Sequence, residues 1–213
     1  MTFQLFGKDI DVMSEDYVIE WDKDFEDDLN VVASVFFPHE PTLWSGIVSQ
    51  LATTPEIFED EDEDEYGLQD VLNCSGGDLG NDALGQAFLQ ILRNEGLIHI
   101  VDWKGEEEDG ELANFAADRF YDLCKDLTAS ETLRSLLIDI TQEDEIADAC
   151  EDGDRYLDEI FGRIQDQLNE RGYQIFNLNE GTDSYNVAVL PMNEYKKIDD
   201  FNTPWLEVQD FLS

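Results

Sequence analysis

Positive charge is scarce in this chain: 12 Lys and Arg stand against 52 Asp and Glu in 213 residues, a formal net charge of −40. A surface so short of cations repels DNA, RNA and anionic membranes, which argues against direct binding to any of them. Long apolar runs are missing too, and none approaches the roughly 18 residues of a membrane-spanning helix. The opening MTFQLFGKDIDV lacks the basic start and extended apolar stretch of a secretory signal. Cysteine is limited to Cys74, Cys124 and Cys150, an odd number without a C-x-x-C pair, so reduced thiols in a cytoplasmic chain are expected rather than disulfides or metal ligands. Histidine is limited to His39, before a helix start and expected to be exposed, and His99, inside an apolar strand as a core or edge side chain. With no Cys–His arrangement, no nucleophile is indicated. The glycine-rich CSGGDLG (74–80) has no lysine to hold a phosphate, and Asp78 would repel one.

What is present is enough to fold. Hydrophobic residues make up 42% and aromatics 11%, with 13 Phe and 4 Trp. Disorder, the fate of acidic chains poor in aromatics, is therefore not expected. No repeat or Pro/Ser-rich linker divides the sequence, so residues 1–213 read as one domain.

Several helices follow from apolar spacing. DRYLDEIFGRIQDQLNERG places Leu157, Ile160, Phe161, Ile164 and Leu168 on one stripe, with Gly172 as a stop. NDALGQAFLQILRNEG does the same with Leu84, Phe88, Ile91 and Leu92 before Gly96, with Asp78 or Asn81 as the cap. TASETLRSLLIDI offers Thr128 and Glu131 as a capping box. EPTLWSGIVSQL has Pro41 at a helix start ahead of Trp44, Ile47, Val48 and Leu51, and TPWLEVQDFL reads likewise, with Thr203 as cap and Pro204 in the first turn. Further helices are expected at about 24–37 and 111–125.

Strands are fewer. LIHIVDW (97–103) is nearly all apolar and reads as a buried central strand. YQIFNLN and SYNVAVLP flank the short loop EGTD as an antiparallel hairpin, and TFQLFGKDIDV and YVIEW offer one or two strands more. The class expected is α+β: a small, mostly antiparallel sheet with several helices packed on it.

The acids are not evenly spread. Between Lys23 and Arg93 there are 16 acids and no Lys or Arg. Seven acids are consecutive: Glu59, Asp60, Glu61, Asp62, Glu63, Asp64 and Glu65, read as a solvated loop. Extended, such a run carries a charge about every 3.3 Å, close to the spacing of ~3.4 Å per phosphate along one DNA strand. Asp24, Glu26, Asp27 and Asp28 form a second acidic segment in the same region, and acids recur in EEEDGE, TQEDEIADACEDGD and KIDD. Salt adaptation also yields acidic chains, but six lysines among the twelve cations and abundant Ile, Phe and Trp argue against it.

Two segments resemble metal chemistry. DACEDGDRYLDE (148–159) follows a calcium-loop pattern with Asp148, Asp152, Gly153 and Glu159 at positions 1, 5, 6 and 12, but puts Cys150 at a ligand position. Asp102 and Lys104 form an acid-x-Lys pair at a strand end, with Asp78 or Asp82 as a further carboxylate. Both patterns arise easily in so acidic a chain.

The function expected is that of a highly acidic, non-catalytic interaction protein, with no cofactor. It would be a stoichiometric inhibitor covering the basic, nucleic-acid-binding surface of a partner protein, such as a nuclease or another nucleic-acid-binding protein. In general character, though by no motif, it is similar to immunity proteins that neutralise toxic nucleases and to phage proteins that mimic DNA. The partner-binding residues would be Glu59 to Glu65 together with Asp24, Glu26, Asp27 and Asp28. The alternative is a divalent-metal-dependent enzyme or calcium-binding protein that uses surface carboxylates.

Overall fold

The computed structural model describes residues 17–59, 64, 66–102, 110–142 and 153–211. In chain order these form β1 (Val18–Ile19), α1 (Lys23–Phe36), α2 (Leu43–Thr53), a 3-10 turn (Pro55–Glu59), α3 (Gln69–Ser75), β2 (Asp78–Leu79) and α4 (Asn81–Asn94). There follow β3 (Ile98–Asp102), α5 (Glu111–Cys124), α6 (Leu127–Thr141), α7 (Gly153–Asn169), β4 (Tyr173–Asn179), β5 (Ser184–Pro191), α8 (Met192–Tyr195) and β6 (Glu207–Gln209). The class is α+β, as the sequence implies. TFQLFGKDIDV lies outside the described residues, while YVIEW supplies β1, paired in parallel with β2.

The main sheet is antiparallel throughout, in the order β3-β5-β4-β6. Successive side chains of a strand face opposite ways, and here both faces are covered. Ile98, Phe176, Leu178, Ala188 and Leu190 join the apolar sides of α1 to α4 in one core. Val101, Ile175, Val187 and Val189 join α5, α6 and α7 in the other. The result is three layers, helices–sheet–helices. Coverage on both faces explains why the strands read as nearly unbroken apolar runs.

That same coverage corrects one expectation. Among the described residues β3 pairs only with β5, so LIHIVDW is an edge strand rather than a central one, with Ile100 46% exposed. Its apolar character reports two covered faces, not a central position. His99 stacks on Phe115 of α5 at 5.4 Å between ring centres, as a side chain of the second core's edge.

Helix starts and a late strand differ from the sequence reading as well. α6 begins at Leu127 with Asp126 as its cap, the carboxylate accepting from the Ala129 N–H at 3.0 Å, so Thr128 lies inside the helix. Asp126 competes better because an ionised carboxylate is the stronger acceptor at the positive end of the helix. α4 is preceded by Gly80 rather than capped by Asp78 or Asn81. Asn81 instead accepts from the Asp22 N–H (2.7 Å) and donates to the Asp22 carboxylate (2.8 Å), which ties the start of α1 to the start of α4. Pro41 lies one residue before the Thr42 cap of α2. Cys74, exposed, stands in the last turn of α3.

TPWLEVQDFL forms no helix. The Thr203 hydroxyl donates to the Leu206 carbonyl (2.7 Å) and accepts from the Leu206 N–H (3.0 Å), closing a turn instead of opening a helix. Beyond it Leu206 and Val208 are buried while Glu207 and Gln209 are not, a period of two that seats β6 on β4.

Candidate acidic interface

The described cations do little to offset the acids around them, because nearly all are held in local pairs. Arg93 bonds Glu180 and Asn186, Arg119 faces Asp122, Arg134 bonds Asp118 and Asn114, and Arg163 bonds Glu159. Lys125 reaches Asp122 and Lys197 reaches Glu194. Arg171, in the turn after α7, reaches back to Gln167 of that helix. Arg119 is buried enough that desolvation lowers its pKa from the usual guanidinium value, with Asp122 opposing the shift. Such pairs are modest contributors to stability where exposed. Their consequence is electrostatic: few positive groups remain free to bind a partner's anions.

α1 carries the first acidic segment. Asp24 and Glu26 lie in its first turn, where the helix dipole favours negative charge. Glu26 is half-buried and accepts from the Trp21 indole N–H (3.1 Å) and from Lys23 (2.6 Å). Lys23 also reaches Asp27 at 3.0 Å, and the hydrogen bonds it donates to Glu26 and Asp27 raise its pKa. Lys23, at the boundary of the cation-free stretch, thus compensates two of the four acids. The other two, Asp24 and Asp28, are exposed and make no side-chain hydrogen bond or ion pair among the described residues.

Of the seven-acid run, Glu59 and Asp64 are described; Asp60, Glu61, Asp62, Glu63 and Glu65 lie outside the described residues. Glu59 ends the 3-10 turn, exposed, and accepts from the Tyr17 hydroxyl at 2.6 Å. Asp64 is half-buried and accepts from the Gln69 N–H at the start of α3 (2.7 Å), while the Gln69 amide donates to the Glu59 carbonyl (2.6 Å). Two residues of the run therefore anchor it to the body of the protein.

Between α1 and the chain after β5 the surface opens into two adjoining grooves of about 250 and 570 Å³ that share Asp28, Asn202 and Thr203. Val31, 52% exposed, and Asp200 line the first; Asp24 and Trp205 line the second. Asp24, Asp28 and Val31 stand at i, i+4 and i+7, so they form one outward stripe of α1. Trp205 packs against Phe25 beneath that stripe, with ring centres 5.3 Å apart. Sequence reasoning found Asp24 and Asp28 and missed Val31, Asp200 and Trp205. An apolar side chain on an otherwise acidic helical stripe was the available signal.

The wall opposite α1 is anchored through Tyr195, whose hydroxyl donates to Asp210 at 2.8 Å, the same carboxylate oxygen that takes the buried Gln174 amide at 3.0 Å. Burial and then Asp210 push the Tyr195 phenol well above its ordinary value. A raised phenol keeps its proton in the folded state after the unfolded chain has begun to lose it. The stabilisation is therefore complete below pH of about 10 and declines as pH rises beyond that. Tyr195→Phe should flatten the fall of melting temperature between pH 9 and about 11; an equally steep fall in the variant would assign the alkaline limb to other groups.

Only parts of the two metal patterns fall within the described residues. Residues 148–152 and Lys104 lie outside the described residues. Gly153 to Glu159, the second half of the calcium pattern, are already helical, and Glu159 accepts from Arg163 at 3.0 Å. Among the described residues no three His, Cys, Asp or Glu side chains gather as a metal site. Nor, among them, is any helix long and apolar enough to cross a membrane.

Fold and surface together define a three-layer α+β protein with a strongly acidic surface. The chain belongs to the family described as domain of unknown function (DUF6630), whose profile matches residues 33–205. No curated protein and no solved structure matches it. The matched region takes in the Glu59–Glu65 run and Asp200, and starts after the acidic turns of α1.

Proposed function

We propose that this chain is a non-catalytic, stoichiometric inhibitor that covers a basic, nucleic-acid-binding surface of a partner protein, in the manner of an immunity protein or a DNA mimic. The observation that carries this reading is the unbalanced surface: a net charge of −40 on a folded body most of whose described cations are held in local pairs. Repulsion among so many like charges disfavours the compact state, and a cationic partner relieves it on binding. Association would be fast and salt-sensitive. A cytoplasmic location belongs to the same proposal and rests on the cysteine pattern.

The test is capture from nuclease-treated lysate at low salt, elution with a salt gradient, and titration of the eluted protein's nucleic-acid binding by this chain. A defined basic protein, released only at high salt and losing DNA or RNA binding at one equivalent of inhibitor, is the expected result. A smear of cationic proteins released at modest salt would sink it. Converting Glu59 to Glu65 to Gln and Asn should weaken that complex by about tenfold at low salt and flatten its salt dependence. Unchanged affinity would leave the run as a solvated loop.

A further inference from the structure

The smaller groove beside α1 brings an exposed apolar side chain, Val31, together with carboxylates from two walls, Asp28 and Asp200. Val31 is half exposed, while Val32 and Ile198, which also line the groove, are buried. The carboxylates around it are uncompensated. Asp28 on α1, Asp200 across the groove and Asp24 in the adjoining groove make no side-chain ion pair or hydrogen bond among the described residues, whereas Lys197 of this groove and Lys23 of the adjoining one are drawn off to Glu194 and to Glu26 and Asp27. The helix dipole accounts for an acid in the first turn of α1 but fades before Asp28. Charge on both walls around an apolar centre is the composition of a docking site: apolar contact supplies affinity, and the flanking charges set orientation and choice of partner.

We infer that this groove is the specific docking site for a basic amphipathic segment of the partner protein. One apolar side chain of that segment would cover Val31, with Lys or Arg side chains on either side reaching Asp24 and Asp28 on one wall and Asp200 on the other. The inference rests on the proposed inhibitor function and deepens it, by separating a specific contact from the diffuse attraction of the remaining acids. It also favours a dedicated partner over a DNA mimic's several, because bare charge rows would need no apolar centre.

The test is an NMR titration of the full chain at low salt with two synthetic peptides of about 14 residues and equal charge, one presenting a leucine stripe flanked by arginines, the other with those leucines replaced by serine. The expected result is that the leucine peptide shifts amide signals of residues 24–31 and 197–205 and binds at least about tenfold tighter than the serine peptide. Val31→Asp, an exposed change that adds negative charge and leaves the core intact, should remove that preference, and neutralising Glu59 to Glu65 should leave it. Equal affinities, with shifts scattered over all acidic segments, would overturn the groove while leaving the charge-based inhibitor standing. Failure of both peptides to bind at low salt would overturn both.

Discussion

Replacing Phe88 with alanine should lower the unfolding free energy by about 3–5 kcal/mol, enough to leave little of the stability of an ordinary domain. Phe88 is fully buried on α4 and meets Trp44 of α2 edge-on at 5.1 Å and Phe36 of α1 at 6.2 Å between ring centres. Truncation removes the transfer free energy of the ring and also both aromatic contacts. The space left behind is walled by large side chains from three helices, each held by other core contacts, so it cannot readily close. Urea unfolding should show a lower midpoint with an unchanged slope, the sign of lost stability rather than altered compactness. Phe88→Leu should recover part of the loss. A drop below about 1 kcal/mol for the alanine variant would mean that the aromatic cluster does not hold the first helical layer together.

Arg93→Ala should cost about 2–3 kcal/mol, through the groups it abandons more than through the charge it removes. One guanidinium nitrogen donates to Glu180 at 3.0 Å and to the side-chain oxygen of Asn186 at 2.7 Å. Asn186 is fully buried; its amide reaches the Leu178 carbonyl and Glu180, and its backbone N–H is taken by Asn177. This network pins the end of α4 to the β4–β5 hairpin. Without Arg93, the Glu180 carboxylate, only 15% exposed, loses its one described cation. Glu180→Gln in the alanine background should then restore part of the loss, and a double-mutant cycle over the pair should give a clear coupling. Additive effects would show that water replaces the ion pair at little cost.

Helices α4 and α7 were legible because their apolar spacing continues without interruption up to glycines that reverse the chain, Gly96 at φ 65° and Gly172 at φ 81°. The hairpin was legible because its two strands and polar loop are adjacent in sequence. β6 was not, since Thr-Pro before an apolar segment is equally a helix start, and only pairing with β4 decides otherwise. The edge position of β3 was hidden for a similar reason: its apolar run reflects the layers above and below it, and strand order is non-local information. Charge was the most legible property of the candidate interface and the least specific. The groove was illegible because Val31 and Asp200 are far apart in the chain and meet only after β5 returns it past α1.

The β4–β5 hairpin supplies both cores, with Phe176 and Ala188 facing one layer and Ile175 and Val189 the other. On the ribosome this has a consequence of timing. The helices of residues 23–169 are synthesised before the hairpin they pack against, so with β3 alone in place neither layer can finish burying its apolar face until the hairpin has emerged. During that interval the nascent chain carries sticky, half-formed helices, the condition in which chains aggregate. A dense negative charge along those same helices would keep neighbouring copies apart during that interval, so the charge on which the proposed function rests would also protect the chain during its own assembly.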